Sequence, residues 1–203
     1  MFRLAMKELK TALSLFLFLT ILTGIIYPLV VTGFAQIFFP GQANGSLIAH
    51  GDKVIGSRLI GQSFTEPRYF WGRPSATSPF PYNGASSSGS NMGPSNPAFI
   101  TLIRERALAF RELDSEQQLI PVDLLTASAS GLDPDISPLA ALYQVPRIAK
   151  VRSLQEKEIA ELVQQHIINR TLGFLGEPRV NVLQLNLALD KLGNSHVRVS
   201  PKS

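Results

Sequence analysis

The chain of 203 residues is 45% hydrophobic and only 17% charged, has a net charge of +4 and contains no cysteine. An average soluble domain has roughly a quarter of its residues charged, so the low charge indicates an extended apolar segment. The lack of cysteine excludes disulfides, thiol catalysis and thiolate metal sites. Basic and acidic residues are interspersed, without a basic stripe carrying aromatic residues, and this pattern argues against nucleic acid as a partner.

An apolar segment near the N-terminus is long enough to cross a membrane. No charged residue occurs between Thr11 and Gly51. As a helix, Leu13 to Phe34 would span about 33 Å, which matches a hydrocarbon core of about 30 Å. We therefore predict a transmembrane helix over residues 12–35. A cleaved signal peptide is the alternative, but its apolar region is usually only about 7–15 residues long.

The charges around this segment predict its orientation. Arg3, Lys7 and Lys10 precede it, and the next basic residue is Lys53. Because basic residues are enriched on the cytoplasmic side of membrane helices, residues 1–11 are expected in the cytoplasm. The remainder is expected outside, so the sequence predicts a single-pass protein of the plasma (inner) membrane.

Residues 36–193 are predicted to form a small α+β extracytoplasmic domain, followed by a flexible tail at 194–203. Short apolar runs broken by glycine indicate strands or a hairpin over residues 53–64. Val180 and Val182 alternate with polar residues, as the residues of a strand do. The adjacent aromatic residues of the sequence RYFW are expected to pack in the core or in a strand, and an aromatic contact with a partner is the alternative.

Residues typical of helix N-termini mark four helices in this domain. They are Asn96 before Pro97, Ser137 before Pro138, Ser153 with Glu156 as a capping box, and Asn186 before a short last helix that ends near Gly193. Pro146 is expected to end the second of these helices, because proline interrupts a helix interior.

Few residues suggest catalysis. Asp133 and Asp135 flank Pro134, and paired carboxylates suit acid–base chemistry or a cation. A turn is the favoured interpretation, because Asp-Pro is common in turns and no third acid lies nearby. The three histidines are far apart and lack metal-ligand spacing. The sequence therefore predicts no catalytic residue and no metal site.

An uncharged segment, Pro74 to Ile103, contains a run of small polar residues. Within it, Tyr82 to Pro97 has Gly, Ser, Asn or Pro at thirteen of sixteen positions. It matches neither a nucleophile elbow nor a P-loop, and it has no neighbouring cation for a phosphate. Because glycines allow close approach of another surface, we predict a partner-docking loop, with a nucleotide-related loop as the alternative. The residues proposed for it are Gly84, Ser88, Gly89, Ser90, Asn91 and Gly93.

Several long segments of the chain resemble the KdpC family, the C subunit of the Kdp potassium-importing P-type ATPase. They read GSRLIGQSFTEPRYFWGRPSAT, SGSNMGPSNP, GLDPDISPLAALYQVPRIA and LGEPRVNVLQLNLALD, and nearer the N-terminus LTGIIYPLVVTG and PGQANGSLI. The resemblance covers about residues 20 to 193. Two positions differ from the family: SSSGSN stands where two adjacent glycines are more frequent, and Asp135 stands where histidine is frequent.

The resemblance implies a non-catalytic accessory subunit with one membrane helix and an extracytoplasmic domain. The implied partners are a channel-like potassium-selective subunit, an ATP-hydrolysing subunit and a small stabilising subunit. It also implies a catalytic chaperone that raises the ATP affinity of the hydrolysing subunit, with ATP in the complex and no intrinsic cofactor. The alternatives are an anchored extracytoplasmic solute-binding protein and an anchored hydrolase using Ser and Asp.

Overall fold

The computed structural model describes residues 2–113 and 119–199. The chain divides into two compact units, Met1–Ile55 and Gly56–Ser203. The first unit is mainly helical, whereas the second combines helices with a small sheet. One long apolar helix followed by a small domain of helices and strands agrees with the predicted architecture.

The N-terminal unit is dominated by a continuous helical rod. It consists of α1 (Phe2–Ile21), a π-helical segment (Leu22–Ile26) and α2 (Tyr27–Phe38). The stretch Ala5–Phe38 is long and apolar enough to cross a membrane, and none of it is buried. The predicted span of residues 12–35 lies within it.

The π-helical segment ends two residues before Pro28. Proline lacks a backbone N–H and its ring crowds the preceding turn, and wider π turns are a usual way to accommodate such irregularities. Thr20 and Thr23 return their hydroxyls to backbone carbonyl oxygens one turn earlier, at 2.8 and 2.7 Å. These local bonds keep the polar side chains compatible with an apolar environment.

A short helix and a hairpin follow the rod. They are α3 (Pro40–Ala43), β1 (Leu47–His50) and β2 (Lys53–Ser57), and the two strands form a two-stranded sheet. Of the strands or hairpin predicted over 53–64, one strand is present, β2, whose hairpin partner β1 lies before this range. The residues after Ser57 form turns and loops.

The second unit contains a three-stranded antiparallel sheet in the order β3–β5–β4. Its strands are β3 (Asp135–Ile136), β4 (Ile167–Ile168) and β5 (Arg179–Asn181). Val180, which is fully buried, lies opposite both Ile136 and Ile167. The predicted continuation of this strand to Val182 is wrong, because Val182 begins the last helix.

The helices of this unit pack around the sheet. They are α4 (Pro97–Leu113), α5 (Val122–Leu125), α6 (Pro138–Tyr143), α7 (Val145–Arg152), α8 (Glu156–Gln165) and α9 (Val182–Val199). Two predicted caps are confirmed. The Asn96 side chain accepts the Ala98 N–H at 2.9 Å, and the Ser137 side chain accepts the Ala140 N–H at 3.0 Å.

Two other predicted caps are wrong. Ser153 has a left-handed backbone (φ 55°) at the end of α7, whereas an N-cap residue needs an extended backbone. Helix α8 therefore begins after Gln155, without a side-chain cap. Asn186 lies inside α9, and Asn181 caps that helix instead by accepting the Gln184 N–H at 3.1 Å.

The second unit also differs from the sequence prediction at Pro146 and at its C-terminal end. Pro146 lies in the first turn of α7, a favourable place for proline. Helix α6 has already ended at Tyr143. Helix α9 continues through the predicted tail as far as Val199, and residues 200–203 lie outside the described residues.

One hydrophobic core joins these elements. Its fully buried members include Phe70, Leu124, Ile148, Ile159, Val163, Val180, Leu185 and Leu189. Phe70 confirms that the RYFW segment packs in the core. This segment belongs to no strand, so its backbone polar groups need other partners. Side-chain amides supply them: Asn186 accepts the Phe70 N–H, and Gln144 accepts the Trp71 N–H, each at 2.8 Å.

Candidate functional site

The uncharged segment begins with a compact turn held by hydroxyl groups. The Ser75 Oγ atom donates to the Gly131 carbonyl oxygen at 2.7 Å and accepts the Tyr82 N–H at 2.9 Å. The Thr77 hydroxyl accepts the Asn83 N–H at 3.0 Å and donates to the Phe80 carbonyl oxygen at 2.7 Å. The start of the predicted docking loop is therefore attached firmly to its own domain.

Two of the predicted site residues pack against a neighbouring segment of the same domain. The Ser88 N–H donates to the Ser130 carbonyl oxygen at 3.0 Å. At Gly89, an added methyl group would lie only 2.9 Å from the Ala129 carbonyl oxygen. Gly89 does permit the predicted close approach of a backbone, but that backbone belongs to this domain.

The other predicted site residues face outward to a greater degree. Gly84, Asn91 and Gly93 are exposed, and Ser90 is half-buried. A methyl group on Gly93 would meet no atom within 4 Å, and one on Gly84 would meet only the end of the Ile60 side chain. These positions are the part of the loop that remains open to a partner.

Tyr82 connects the loop to the rest of the domain. Its hydroxyl donates to the Arg73 carbonyl oxygen at 2.6 Å. Its ring lies against Gly61 and Gly72, where added methyl groups would come within 2.4 and 2.8 Å of the ring and the hydroxyl. Burial, assisted by the negative charge of Asp133, raises the pKa of Tyr82 to about 12, although Arg73 acts in the opposite direction.

The two aspartates that flank Pro134 both make ion pairs. Asp133 contacts Arg73 at 3.1 Å, and Asp135 contacts Arg179 at 3.0 Å. The Asp133 side chain also accepts the Asp135 N–H at 3.0 Å, as expected of the predicted turn. Burial raises the pKa of Asp135, while hydrogen bonding from Asn181 and the charge of Arg179 act against this rise.

These contacts give the aspartates a structural role within the domain. Within residues 2–113 and 119–199, no cluster of three or more His, Asp or Glu side chains could hold a metal ion. His166, whose Nδ1 atom lies 2.8 Å from the Leu162 carbonyl oxygen, has a local partner.

An exposed apolar turn joins β4 to β5, and the sequence analysis did not identify it. Thr171 and Leu175 form an isolated β-bridge, and Arg170 pairs with Glu177 at 2.6 Å. Between them, Leu172 is 78% exposed and Phe174 is 68% exposed. Leu175, in the same turn, is 50% exposed, and a group of neighbouring exposed apolar side chains is a feature that can mark an interaction site. In the sequence, the stretch TLGFLG, in which large apolar residues are interspersed with glycines, is the signal that could have indicated this turn.

The sequence matches the family model "KdpC: K+-transporting ATPase, c chain" over residues 9–191. The chain belongs to the KdpC family. A relative from Herpetosiphon aurantiacus, named "Potassium-transporting ATPase KdpC subunit", is 58% identical over 90% of this chain and 95% of its own length. A relative of the same name from Dechloromonas aromatica is 57% identical, over 91% of this chain and 97% of its own length. These matches confirm the resemblance to the KdpC family on which the sequence interpretation depends.

Proposed function

We propose that this chain is a non-catalytic subunit that assembles with the other subunits of a potassium-transporting ATPase through its folded domain. The single observation that carries the proposal is the match to the KdpC family over residues 9–191. As a member of this family, the chain is an accessory subunit of a P-type ATPase complex. The solute-binding and hydrolase alternatives have no comparable support.

The chemistry of the chain agrees with an accessory role. A P-type ATPase accepts phosphate on the aspartate of a D-K-T-G-T motif, and this sequence has no such motif. The nearest similar stretch is DKLGN, but its Asp190 is engaged by Arg152 at 2.7 Å and by the Tyr69 hydroxyl at 3.2 Å. Hydrolysis therefore belongs to another subunit in this proposal.

The proposed arrangement places the N-terminus in the cytoplasm and the second unit outside. The support is the distribution of Arg3, Lys7 and Lys10 before the apolar helix and the absence of charge after it up to Gly51. The proposed partners are a channel-like potassium-selective subunit, an ATP-hydrolysing subunit and a small stabilising subunit.

Two surfaces are proposed for the contact with the channel-like subunit. One is the open part of the docking loop, at Gly84, Asn91 and Gly93, where a partner backbone could approach closely. The other is the apolar turn carrying Leu172 and Phe174, whose burial by a partner would remove apolar surface from water. Both surfaces belong to the folded second unit.

We further propose that assembly raises the ATP affinity of the hydrolysing subunit, as expected of a catalytic chaperone. With the domain outside and ATP inside, this effect must pass through protein contacts rather than through shared ligands of the nucleotide. ATP is then a cofactor of the complex and not of this chain. Such coupling needs only that the chain bind one conformation of the complex more tightly than another.

The first test of this proposal is complementation. Cells that lack this chain are expected to fail to grow at low potassium and to recover when it is restored. Co-purification from native membranes should recover a large potassium-transport subunit. Recovery of the chain alone, or normal growth without it, would contradict the proposal.

Orientation has a separate test, because the native chain has no cysteine. Single replacements Lys7→Cys and Ser95→Cys change two exposed positions, one before and one after the apolar helix. An impermeant thiol reagent on intact cells should label position 95 and leave position 7 unlabelled. The reverse pattern would place the domain in the cytoplasm and restore a direct nucleotide role.

A further inference from the structure

A cavity of about 300 Å³ opens between residues 71–82 and helix α4, next to Tyr82 at the start of the docking loop. Four aromatic residues and two arginines contribute to its lining. The residues that carry the argument are Phe64, Trp71, Tyr82 and Phe110, together with Arg73 and Arg106. The lining residues include no aspartate or glutamate.

The two arginines leave a positive charge at the cavity. Arg73 is paired with Asp133 at 3.1 Å, and its Nε atom is buried without a hydrogen-bond partner among the described residues. Arg106 donates from Nη1 to the Leu125 carbonyl oxygen at 2.7 Å, a neutral acceptor. Burial lowers the pKa of the Arg106 guanidinium, while Glu105 opposes this effect. One negative charge placed near Arg106 would relieve the cost of desolvating it.

The aromatic wall is held in place by packing. The Trp71 ring lies 5.2 Å from the Phe110 ring, and the Arg147 guanidinium lies 4.6 Å from the Trp71 centroid. Both backbone polar groups of Trp71 bond to the Gln144 side chain. A wall fixed in this way presents a flat apolar surface to a ligand at little entropic cost.

We propose that this cavity binds a monovalent carboxylate attached to a flat apolar group. The carboxylate would be recognised by Arg106, with Arg73 beside it, and the apolar group by Trp71 and Phe110. A doubly charged phosphate fits less well, because one of the two cations is already neutralised by Asp133. The backbone oxygen atoms of Leu125, Thr126 and Ala127, which accept from the arginines, would repel a doubly charged group more strongly than a singly charged one. The carboxylate could belong to a free aromatic acid or to the C-terminus of a polypeptide.

Trp71 is the only tryptophan in the chain, so its fluorescence reports directly on the cavity. The full chain in detergent micelles would be titrated with phenylacetate, its neutral amide phenylacetamide, inorganic phosphate, and a dipeptide ending in phenylalanine. Phenylacetate is expected to give a saturable change, with the amide at least about tenfold weaker, the scale of one hydrogen bond to a charged group. Stronger binding of the dipeptide than of phenylacetate would assign the site to a polypeptide C-terminus, and weaker binding to a free acid.

A matched pair of substitutions on α4 tests the recognition of charge. Arg106→Gln should weaken phenylacetate binding about tenfold or more. Arg104→Gln, the same change at an exposed position of the same helix, should leave it unchanged. Equal binding of acid and amide, phosphate binding as tight as that of phenylacetate, or unaltered binding by Arg106→Gln would each overturn the proposal. The comparison of acid with amide uses the unaltered chain, so it decides the question even if Arg106→Gln fails to fold.

Discussion

Replacement of Asn186 by alanine provides a direct test of how the RYFW segment is held in the core. The Asn186 Oδ1 atom accepts the Phe70 N–H at 2.8 Å, and its Nδ2 atom donates to the Phe70 carbonyl oxygen at 2.9 Å. Asn186 is 2% exposed and Phe70 is fully buried. Neither backbone group of Phe70 could therefore turn to solvent if the amide were removed.

The cost of Asn186→Ala follows from these two contacts. A buried polar group left without its partner costs about 1–3 kcal/mol, so two such groups cost about 2–6 kcal/mol. This is a large part of a typical folding free energy of about 5–15 kcal/mol. For a domain of this size, each kcal/mol lowers the melting temperature by about 2–4 °C, so the expected decrease is about 4–24 °C.

The assay is thermal unfolding of the full chain in detergent, followed by near-ultraviolet circular dichroism. Asn169→Ala makes the same chemical change at an exposed position and should melt within about 2 °C of the unaltered chain. If Asn186→Ala melts within the same interval, the two hydrogen bonds do not hold the segment and the reasoning fails. Unfolding of a different region would be recognised by an unchanged Trp71 signal.

Three further predictions concern the loop, the apolar turn and Tyr82. Gly89→Val should lower the melting temperature, because the added side chain meets the Ala129 backbone, and an unchanged melting temperature would contradict this packing. Gly93→Arg should keep the melting temperature and reduce co-purification with the complex, because position 93 is open. The double change Leu172→Ser and Phe174→Ser should reduce co-purification without lowering the melting temperature, since both side chains are exposed, and undiminished assembly would exclude this surface. The pKa of Tyr82 is raised from 10.0 to about 12, so the folded chain keeps a proton that the unfolded chain loses. Stability should therefore fall as pH rises from about 10 to about 12. Tyr82→Phe should lack this part of the decrease, and difference absorbance near 295 nm should show one phenol fewer titrating near pH 12 in the variant.

Local signals in the sequence predicted several elements well. Asn96 and Ser137 each stand directly before a proline, and both cap a helix as predicted. Such signals succeed because the side chain and the N–H that it accepts are only two or three residues apart. The long apolar helix could also be predicted, because its length and composition are read from the sequence without knowledge of the remaining fold.

Predictions failed where a distant contact decides the structure. Asparagine is a favoured residue for a helix cap. However, the Asn186 side chain bonds to the backbone of Phe70, which lies 116 positions away in the sequence. Ser153 followed by Glu156 matches a capping box, yet the end of α7 places Ser153 in a left-handed conformation. In both cases the residue type favours a local bond, and tertiary packing selects another role.

The candidate site was predicted only in part for the same reason. The sequence identified a glycine- and serine-rich loop, but not the segment against which Ser88 and Gly89 pack. It also indicated no neighbouring cation for the loop, whereas the Tyr82 hydroxyl bonds to the Arg73 backbone. The apolar turn at Leu172 escaped notice because a short apolar run between glycines is equally typical of a buried strand.

The amide contacts explain how a segment without a strand partner can carry a rigid cavity wall. Gln144, 1% exposed, accepts the Trp71 N–H at 2.8 Å and donates to the Trp71 carbonyl oxygen at 3.1 Å. Asn186 makes the same pair of bonds with Phe70. Consecutive residues of an extended segment point to opposite sides, and here Phe70 enters the core while Trp71 lines the cavity.

Because both residues depend on buried amides, a change that loosens Asn186 should also disturb the Trp71 wall. Weaker phenylacetate binding by folded Asn186→Ala would show that the Asn186 contact supports the Trp71 wall. Unaltered binding would show that Gln144 alone holds this wall.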